Sequence, residues 1–178
     1  RLIDNFLTFS RMERNKCAFE FEHLQVADLV DEAVESAGER FTGENPCLDV
    51  EVEPDLPAIA GDRDALVTVI LNLLDNAWKY SGDDRAIRLK AAASGKSVCI
   101  KVSDNGIGMS PRTVRRIFGR FYQADRTLTS SGGCGLGLSI VKFILDAHGG
   151  SIDVASHPDS GSTFTVKLPA QRRNGADS

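Results

Sequence analysis

Hydrophobic residues recur at helical spacing along three long segments of the chain. The spacing predicts helices over residues 26–41, 62–80 and 135–150, and Asp62 is a residue type that caps helix N-termini. Residues 1–14 have the same spacing, which fits either an ordinary amphipathic helix or the end of a dimerising helical hairpin.

Hydrophobic and polar residues alternate in the other ordered segments, as they do in half-buried strands. The segments predicted as strands are residues 18–26, 47–61 (ending in a proline-rich turn), 86–94, 97–104, 151–157 and 162–169. Gly95 and Lys96 supply one hairpin turn, and the last two strands form a closing hairpin. The pattern predicts a two-layer α/β sandwich with a mixed, mostly antiparallel sheet. About three helices cover one face, and an N-terminal helix stub precedes the domain.

Composition is that of a globular domain. The chain has 178 residues, of which 42% are hydrophobic, and a net charge of −4, which argues against a nucleic-acid surface. No apolar run reaches the roughly 18 residues of a membrane span. The four cysteines are widely spread without metal-ligand spacing, so reduced cytosolic thiols are expected. Because the chain opens abruptly inside a helical pattern, we expect a fragment of a larger protein.

The helix that contains "NLLDNAWKY" carries polar residues on a face of its own. Asn72, Asn76 and Lys79 fall within about 60° of one another, away from the apolar face. Amide oxygens suit Mg²⁺, and an ammonium group suits the phosphates of a nucleotide. Two merely solvated asparagines are the alternative that the helix alone leaves open.

"DNGIGM", residues 104–109, places a carboxylate where an apolar strand must turn. Asp104 in an apolar pocket can accept a hydrogen bond from the amine of adenine, whereas guanine would present a second acceptor. A plain turn is the alternative.

"GGCGLGLSIV", residues 132–141, leads glycines 133, 135 and 137 directly into a helix. Backbone N–H groups in such a segment can approach an anion at the helix N-terminus. The spacing is not that of a P-loop, and no strand precedes it directly as in a dinucleotide fingerprint. The stretch before it, residues 105–131, has only one short predicted helix near Pro111–Phe118, and such long irregular stretches are usually functional or mobile.

The three segments in this order resemble the ATP-binding catalytic domain of sensor histidine kinases, whose superfamily includes type II topoisomerases, mismatch-repair ATPases and heat-shock chaperone ATPases. The resemblance covers nearly the whole chain and includes "IFGRFYQAD" as an F box and "SGSTFTV" as the last glycine element. It implies that Asn76 binds Mg²⁺ and that Asn72 and Lys79 act with it at the phosphates of ATP. The implied nucleotide-binding residues are Asn76, Lys79, Tyr80, Asp104, Gly106, Gly108, Met109, Phe121, Gly133, Gly135, Leu136, Gly137, Leu138 and Thr163. Residues 119–132 would form a lid over ATP.

The implied reaction is transfer of the γ-phosphate of ATP to a histidine, for relay to an aspartate of a response regulator. His23, His148 and His157 lack the context of the family's acceptor, so the acceptor is expected on a helical hairpin upstream, which also forms a homodimer. Residues 1–16 would end that hairpin, residues 17–170 would form the catalytic domain, and 171–178 a disordered tail. We expect a cytoplasmic domain. Cys134 stands where family members often carry threonine or serine.

Two rival functions remain at this point. In ATP-hydrolysing relatives a glutamate four residues before the Mg²⁺-binding asparagine activates water, but Asn72 occupies that position here and cannot accept a proton. Asp75 is a carboxylate, and one residue before Asn76 it is expected to point about 100° away. A binding module without catalysis is the second rival. A family member that acts chiefly as a phosphatase on its response regulator is also open.

Overall fold

The structure, a computed structural model, describes residues 18–38, 41, 47–122 and 135–171. The predicted helix over residues 1–14, most of the predicted lid and the tail after Gln171 lie outside these ranges. The described helices are α1 (Val26–Ala37), α2 (Arg63–Tyr80), α3 (Pro111–Val114) and α4 (Gly137–Ala147). The strands are β1 (Glu22–Leu24), β2 (Leu48–Val52), β3 (Ile59–Gly61), β4 (Ile87–Ser94), β5 (Ser97–Asp104), β6 (Ser151–Ser156) and β7 (Ser162–Pro169).

Five strands form one sheet in the order β2-β4-β5-β7-β6. Strand β2 runs parallel to β4, and every other neighbouring pair is antiparallel. Ile87, Leu89 and Ala91 of β4 are buried while Arg88 between them is exposed, so one face of the sheet is apolar. The predicted mixed, mostly antiparallel sheet is confirmed.

Helix α2 lies at the centre of the helical layer and contacts α1, α4, β4 and β5. Its apolar residues Leu66, Ile70, Leu73 and Ala77 are at most 2% exposed. Because this face is fully buried, the orientation of α2 is fixed, and its polar face is carried to one end of the sheet.

The segment 47–61 differs from the single predicted strand. It forms two strands in different sheets, because Pro54 and Pro57 lie between β2 and β3 and cannot donate to a strand ladder. Strand β3 instead pairs antiparallel with β1 in a separate two-stranded sheet. The predicted strand over 18–26 is shortened to the three residues of β1.

The start of α2 is built from the predicted cap and one buried histidine. Asp62 Oδ1 accepts a hydrogen bond from Ala65 N at 2.9 Å, which confirms the predicted N-cap. The backbone N–H of Asp62 donates to His148 Nε2 at 2.9 Å, and His148 Nδ1 lies 2.7 Å from the carbonyl oxygen of Ile144. Since a backbone N–H only donates, Nε2 is the acceptor and the ring proton is on Nδ1.

Aromatic side chains of the preceding segment cover the same ring. Phe21 stacks on His148 with ring centroids 4.7 Å apart, and Phe19 meets it edge-on at 5.1 Å. Both ring nitrogens of His148 are therefore hydrogen-bonded, and the ring joins α4, the cap of α2 and the segment of Phe19 and Phe21.

Among the helices that the structure describes, none has the length and apolar character of a membrane span.

We expect His148→Ala to lower the free energy of unfolding by about 2–4 kcal/mol, because it removes a buried ring and leaves the N–H of Asp62 unpaired. Urea unfolding followed by circular dichroism measures the change. His157, exposed in the turn between β6 and β7, provides the control, since its replacement by alanine should alter stability by less than about 0.5 kcal/mol. Equal stability of the two variants would contradict the structural role of His148.

Candidate functional site

The last turn of α2 opens onto a cleft. Asp75, Asn76, Lys79 and Tyr80 all line it, while Ala77 between them is buried in the core. The Lys79 ammonium lies 5.2 Å from the centroid of the Tyr80 ring, within reach of a cation–π interaction. This wall of the cleft therefore offers an amide, a carboxylate and a cation within one helical turn.

Asp104 ends β5 and lines the same cleft. Its Oδ1 accepts hydrogen bonds from the backbone N–H groups of Gly106, at 2.8 Å, and Ser162, at 3.3 Å. Burial raises the pKa of the Asp104 carboxyl above 3.8, and the two backbone hydrogen bonds oppose that rise without cancelling it. Both hydrogen bonds are accepted by Oδ1, and the second oxygen, Oδ2, takes part in neither of them.

Two crossing loops support this carboxylate. Gly108 has φ +62°, and a side-chain carbon there would overlap the carbonyl oxygen of His157 in the β6–β7 turn. The loops are also tied by Asp159 N donating to Ile107 O at 2.8 Å, while Ile107 N donates to Tyr80 O at 3.1 Å. The loop after Asp104 is thus fixed to both the end of α2 and the β6–β7 turn.

The start of α4 forms the third wall. Gly135, Leu136, Gly137 and Leu138 line the cleft. Leu136 occupies the N-cap position and makes no side-chain cap bond. The first backbone N–H groups of a helix have no partner within it, and with the helix dipole they favour an anion. This wall can therefore hold a phosphate or a carboxylate.

Ten of the residues predicted for the site line this one cleft. They are Asn76, Lys79, Tyr80, Asp104, Gly108, Met109, Gly135, Leu136, Gly137 and Leu138. Gly106 lies behind the wall, where its N–H holds Asp104. Gly133 lies outside the described residues. Asn72, Phe121 and Thr163 are not among the lining residues.

Strand alternation explains the position of Thr163. Its neighbours Ser162 and Phe164 are buried and line the cleft, so Thr163 points to the other face of the sheet, where its hydroxyl lies 2.9 Å from that of Ser103. The structure thus brings Ser162 to the site in place of Thr163. The register with β5, Asp104 opposite Ser162, is the signal that would have identified it.

Tyr122 takes the position predicted for Phe121. Phe121 is 61% exposed with φ +57°, whereas the Tyr122 ring lines the cleft and has the Arg116 guanidinium 4.9 Å from its centroid. Other lining residues that the sequence did not identify are Asp75, Ile107 and Ile117. Asp75 was expected to point about 100° away from Asn76 on the helix, and both residues line the cleft.

Acidic and metal-binding side chains are sparse here. Across the described ranges, no group of three or more His, Cys, Asp and Glu residues could hold a metal ion. The donors that α2 offers to a cation are the amide oxygen of Asn76 and the carboxylate of Asp75, which suits an ion that keeps other oxygen ligands.

Three kinds of comparison find known proteins that this chain resembles. The family model described as "Histidine kinase-, DNA gyrase B-, and HSP90-like ATPase" matches residues 61–172. The sensor-like histidine kinase SenX3 of Mycobacterium tuberculosis is 34% identical over 173 residues, which are 95% of this chain and 41% of SenX3. This chain thus spans less than half the length of that relative.

Solved structures agree with the family match. Full-length ShkA in complex with AMPPNP has a TM-score of 0.81 and 28% identity, covering 95% of this chain and 35% of ShkA. The catalytic domain of histidine kinase ThkA has a TM-score of 0.73 and 25% identity, covering 85% of this chain and 96% of that domain. The described fold is therefore that of a histidine kinase catalytic domain.

The raised pKa of Asp104 makes stability depend on pH. The folded state holds the proton of the Asp104 carboxyl more tightly than the unfolded state does. Protonation of Asp104 therefore adds to the free energy of unfolding at pH values below the pKa of Asp104 in the unfolded chain. This contribution is lost as the pH rises through the pKa of Asp104 in the folded protein. We expect Asp104→Asn to be more stable than wild type at pH 7, with the difference vanishing below about pH 4. Urea unfolding at both pH values tests this. Asp83→Asn, at an exposed position, is the matched control; a wild-type protein more stable at pH 7 than the Asp104 variant would refute the assignment.

Proposed function

This chain belongs to the histidine kinase-, DNA gyrase B- and HSP90-like ATPase family, and we propose that it is the catalytic domain that binds ATP in a sensor histidine kinase. The observation that carries the proposal is one cleft lined by the half-buried carboxylate of Asp104, by the N-terminus of α4 and by Asn76 and Lys79. An acceptor for a base and donors for phosphates are the two halves of a nucleotide site.

Asp104 would select adenine. With Oδ1 held by Gly106 and Ser162, Oδ2 is the acceptor for the exocyclic amine of the base. Ile107, Met109 and Phe164 line the same cleft and would pack against the ring faces. A guanine carbonyl at this position would face the carboxylate with two acceptors opposed, so the site should reject GTP.

The phosphates would lie between α2 and α4. The first N–H groups of α4 donate to phosphate oxygens, and Lys79 supplies a positive charge. Asn76 would hold Mg²⁺ through its amide oxygen, and Mg²⁺ when bound neutralises charge on the phosphates. The side chains present fit this ion because amide and carboxylate oxygens are hard ligands.

Phosphoryl transfer to a histidine requires positioning more than acid–base chemistry, because a neutral imidazole is already a nucleophile. The acceptor would lie on an upstream helical hairpin that also forms the homodimer, and the phosphoryl group would pass to a response regulator. His148 is unsuited to this role, since both of its ring nitrogens are engaged inside the fold.

One observation favours a second candidate, ATP hydrolysis. Asp75 lines the cleft next to Asn76, where a carboxylate could take a proton from an attacking water. Asn72, at the position of the family's hydrolytic glutamate, is an amide and cannot do so.

Asp104→Asn should weaken ATP binding by roughly 10- to 100-fold at pH 7 in a folded protein, as expected for an unpaired buried donor. The two backbone N–H groups still require an acceptor at Oδ1, so the amide group of asparagine faces the adenine amine with donor against donor. Titration calorimetry with ATP measures the loss, and circular dichroism verifies folding. Unchanged affinity in the folded variant would remove Asp104 from the base site.

The reaction is tested by following the labelled γ-phosphate of ATP with Mg²⁺, using the domain alone and the domain mixed with the upstream histidine-bearing hairpin of its parent. We expect acid-labile label on the hairpin, little free phosphate from the domain alone, and about 100-fold or greater loss of transfer in Asn76→Ala.

Other outcomes assign other functions. Steady release of free phosphate by the domain alone, abolished by Asp75→Asn, would identify a hydrolase. Label that stays on ATP in both mixtures would identify a binding module without catalysis.

A further inference from the structure

Asn72 lies outside the cleft although it is one helical turn before Asn76. Its Nδ2 donates to the carbonyl oxygen of Thr68 at 2.9 Å, which fixes the orientation of the amide. With Nδ2 held against its own helix, Oδ1 is presented to the neighbouring helix α4. The side chain is half-buried, so it is a contact between helices and not a solvated amide.

The partner of this oxygen is Gly137, the first residue of α4. A Cβ atom at position 137 would lie 2.8 Å from Asn72 Oδ1, closer than real Cβ contacts allow, and the nearest atoms to it all belong to Asn72. Gly137 does not have a positive φ, in contrast to Gly135 at +70°. A side chain at 137 would therefore force either the Asn72 amide or α4 to shift, because of the closeness of Asn72 and not because of backbone conformation.

This contact lies at the part of α4 that matters most for a bound anion. Gly137 and its neighbours Leu136 and Leu138 line the cleft, and the favourable field of a helix falls off within its first turn. A shift of about 1 Å at such a position is enough to weaken binding or catalysis strongly.

We propose that Asn72 is a positioning residue for the phosphate side of the site, acting through Gly137. The first turn of α4 packs against Asn72 Oδ1. The pair fixes the distance between the N–H groups of α4 and the Asn76 and Lys79 side chains of α2. The inference rests on the proposed nucleotide site, and it assigns Asn72 a role without contact to the metal or the nucleotide.

The proposal predicts a rescue. Gly137→Ala should weaken ATP binding about tenfold, because the added methyl group must either push α4 away from α2 or displace the Asn72 amide from its hydrogen bond to Thr68. Adenosine lacks phosphates and would use only the base side of the site, so the affinity for adenosine should change by less than about twofold. Adding Asn72→Ala to Gly137→Ala removes the colliding oxygen and should recover most of the lost ATP affinity.

Titration calorimetry with ATP and with adenosine is the measurement, on wild type, both single variants and the double variant. Gly82→Ala is the matched control, because a side chain there would meet no atom within 4 Å. The difference between ATP and adenosine separates positioning from general damage, since a purely structural role would weaken both ligands alike.

Several results would overturn the proposal. Equal loss of ATP and adenosine binding in Gly137→Ala would do so, as would a double variant whose loss is the product of the two single losses. If Gly137→Ala does not fold, a folded double variant supports the contact, and a double variant that stays unfolded while Asn72→Ala folds contradicts it. Wild-type protein that binds adenosine but not ATP would refute the phosphate role; binding of neither ligand would refute the proposed function itself.

Discussion

A carboxylate that is partly withdrawn from water needs hydrogen-bond donors, and in this domain the donors to the half-buried Asp104 determine the shape of the site. Gly106 N lies in the loop that follows β5, and Ser162 N begins the last strand. Holding both to one oxygen brings the end of β5, the loop after it and the start of β7 to one point. The close approaches at Gly108 and Gly161 follow, because the two loops can meet at that point only without side chains. The cost of burying Asp104 is thus offset by bonds that also build one wall of the cleft.

The cleft joins two chemically opposite requirements. One side needs an acceptor in an apolar setting, and the other needs backbone donors and a cation that remain free to meet an anion. The fold separates them on different elements: the sheet carries the acceptor, while the adjacent ends of α2 and α4 carry the donors. Because the apolar residues of α2 are packed in the core, its polar face is fixed relative to the sheet. The packing of this one helix therefore sets the distance between the two sides of the site.

Local patterns allowed much of this to be predicted. The cap at Asp62, the apolar face of α2 and the hairpin at Gly95 depend on neighbouring residues, and all three are found. The sequence is less informative where the position of a residue depends on partners distant in sequence. Ser162 and Thr163 differ only in which face of β7 they occupy, and the pairing with β5 decides that. Likewise, nothing near Asn72 shows that its partner is Gly137, since the two meet only when α2 and α4 pack. Tyr122 and Phe121 are adjacent aromatic residues, and the structure places Tyr122 at the cleft while Phe121 is exposed.

The pairing of β5 with β7 also sets an order of assembly. Asp104 and Ser162 are 58 residues apart, so their bond closes a long loop that contains α3, α4 and β6, and such long-range pairing is slow relative to local hairpins and helices. During synthesis the ribosome delivers β5 well before β7. Asp104 therefore lacks its hydrogen bond from Ser162 until the last strand of the sheet has emerged. Completion of this wall of the cleft is therefore a late event in the folding of the chain, because it depends on the strand that also joins β6 to the rest of the sheet.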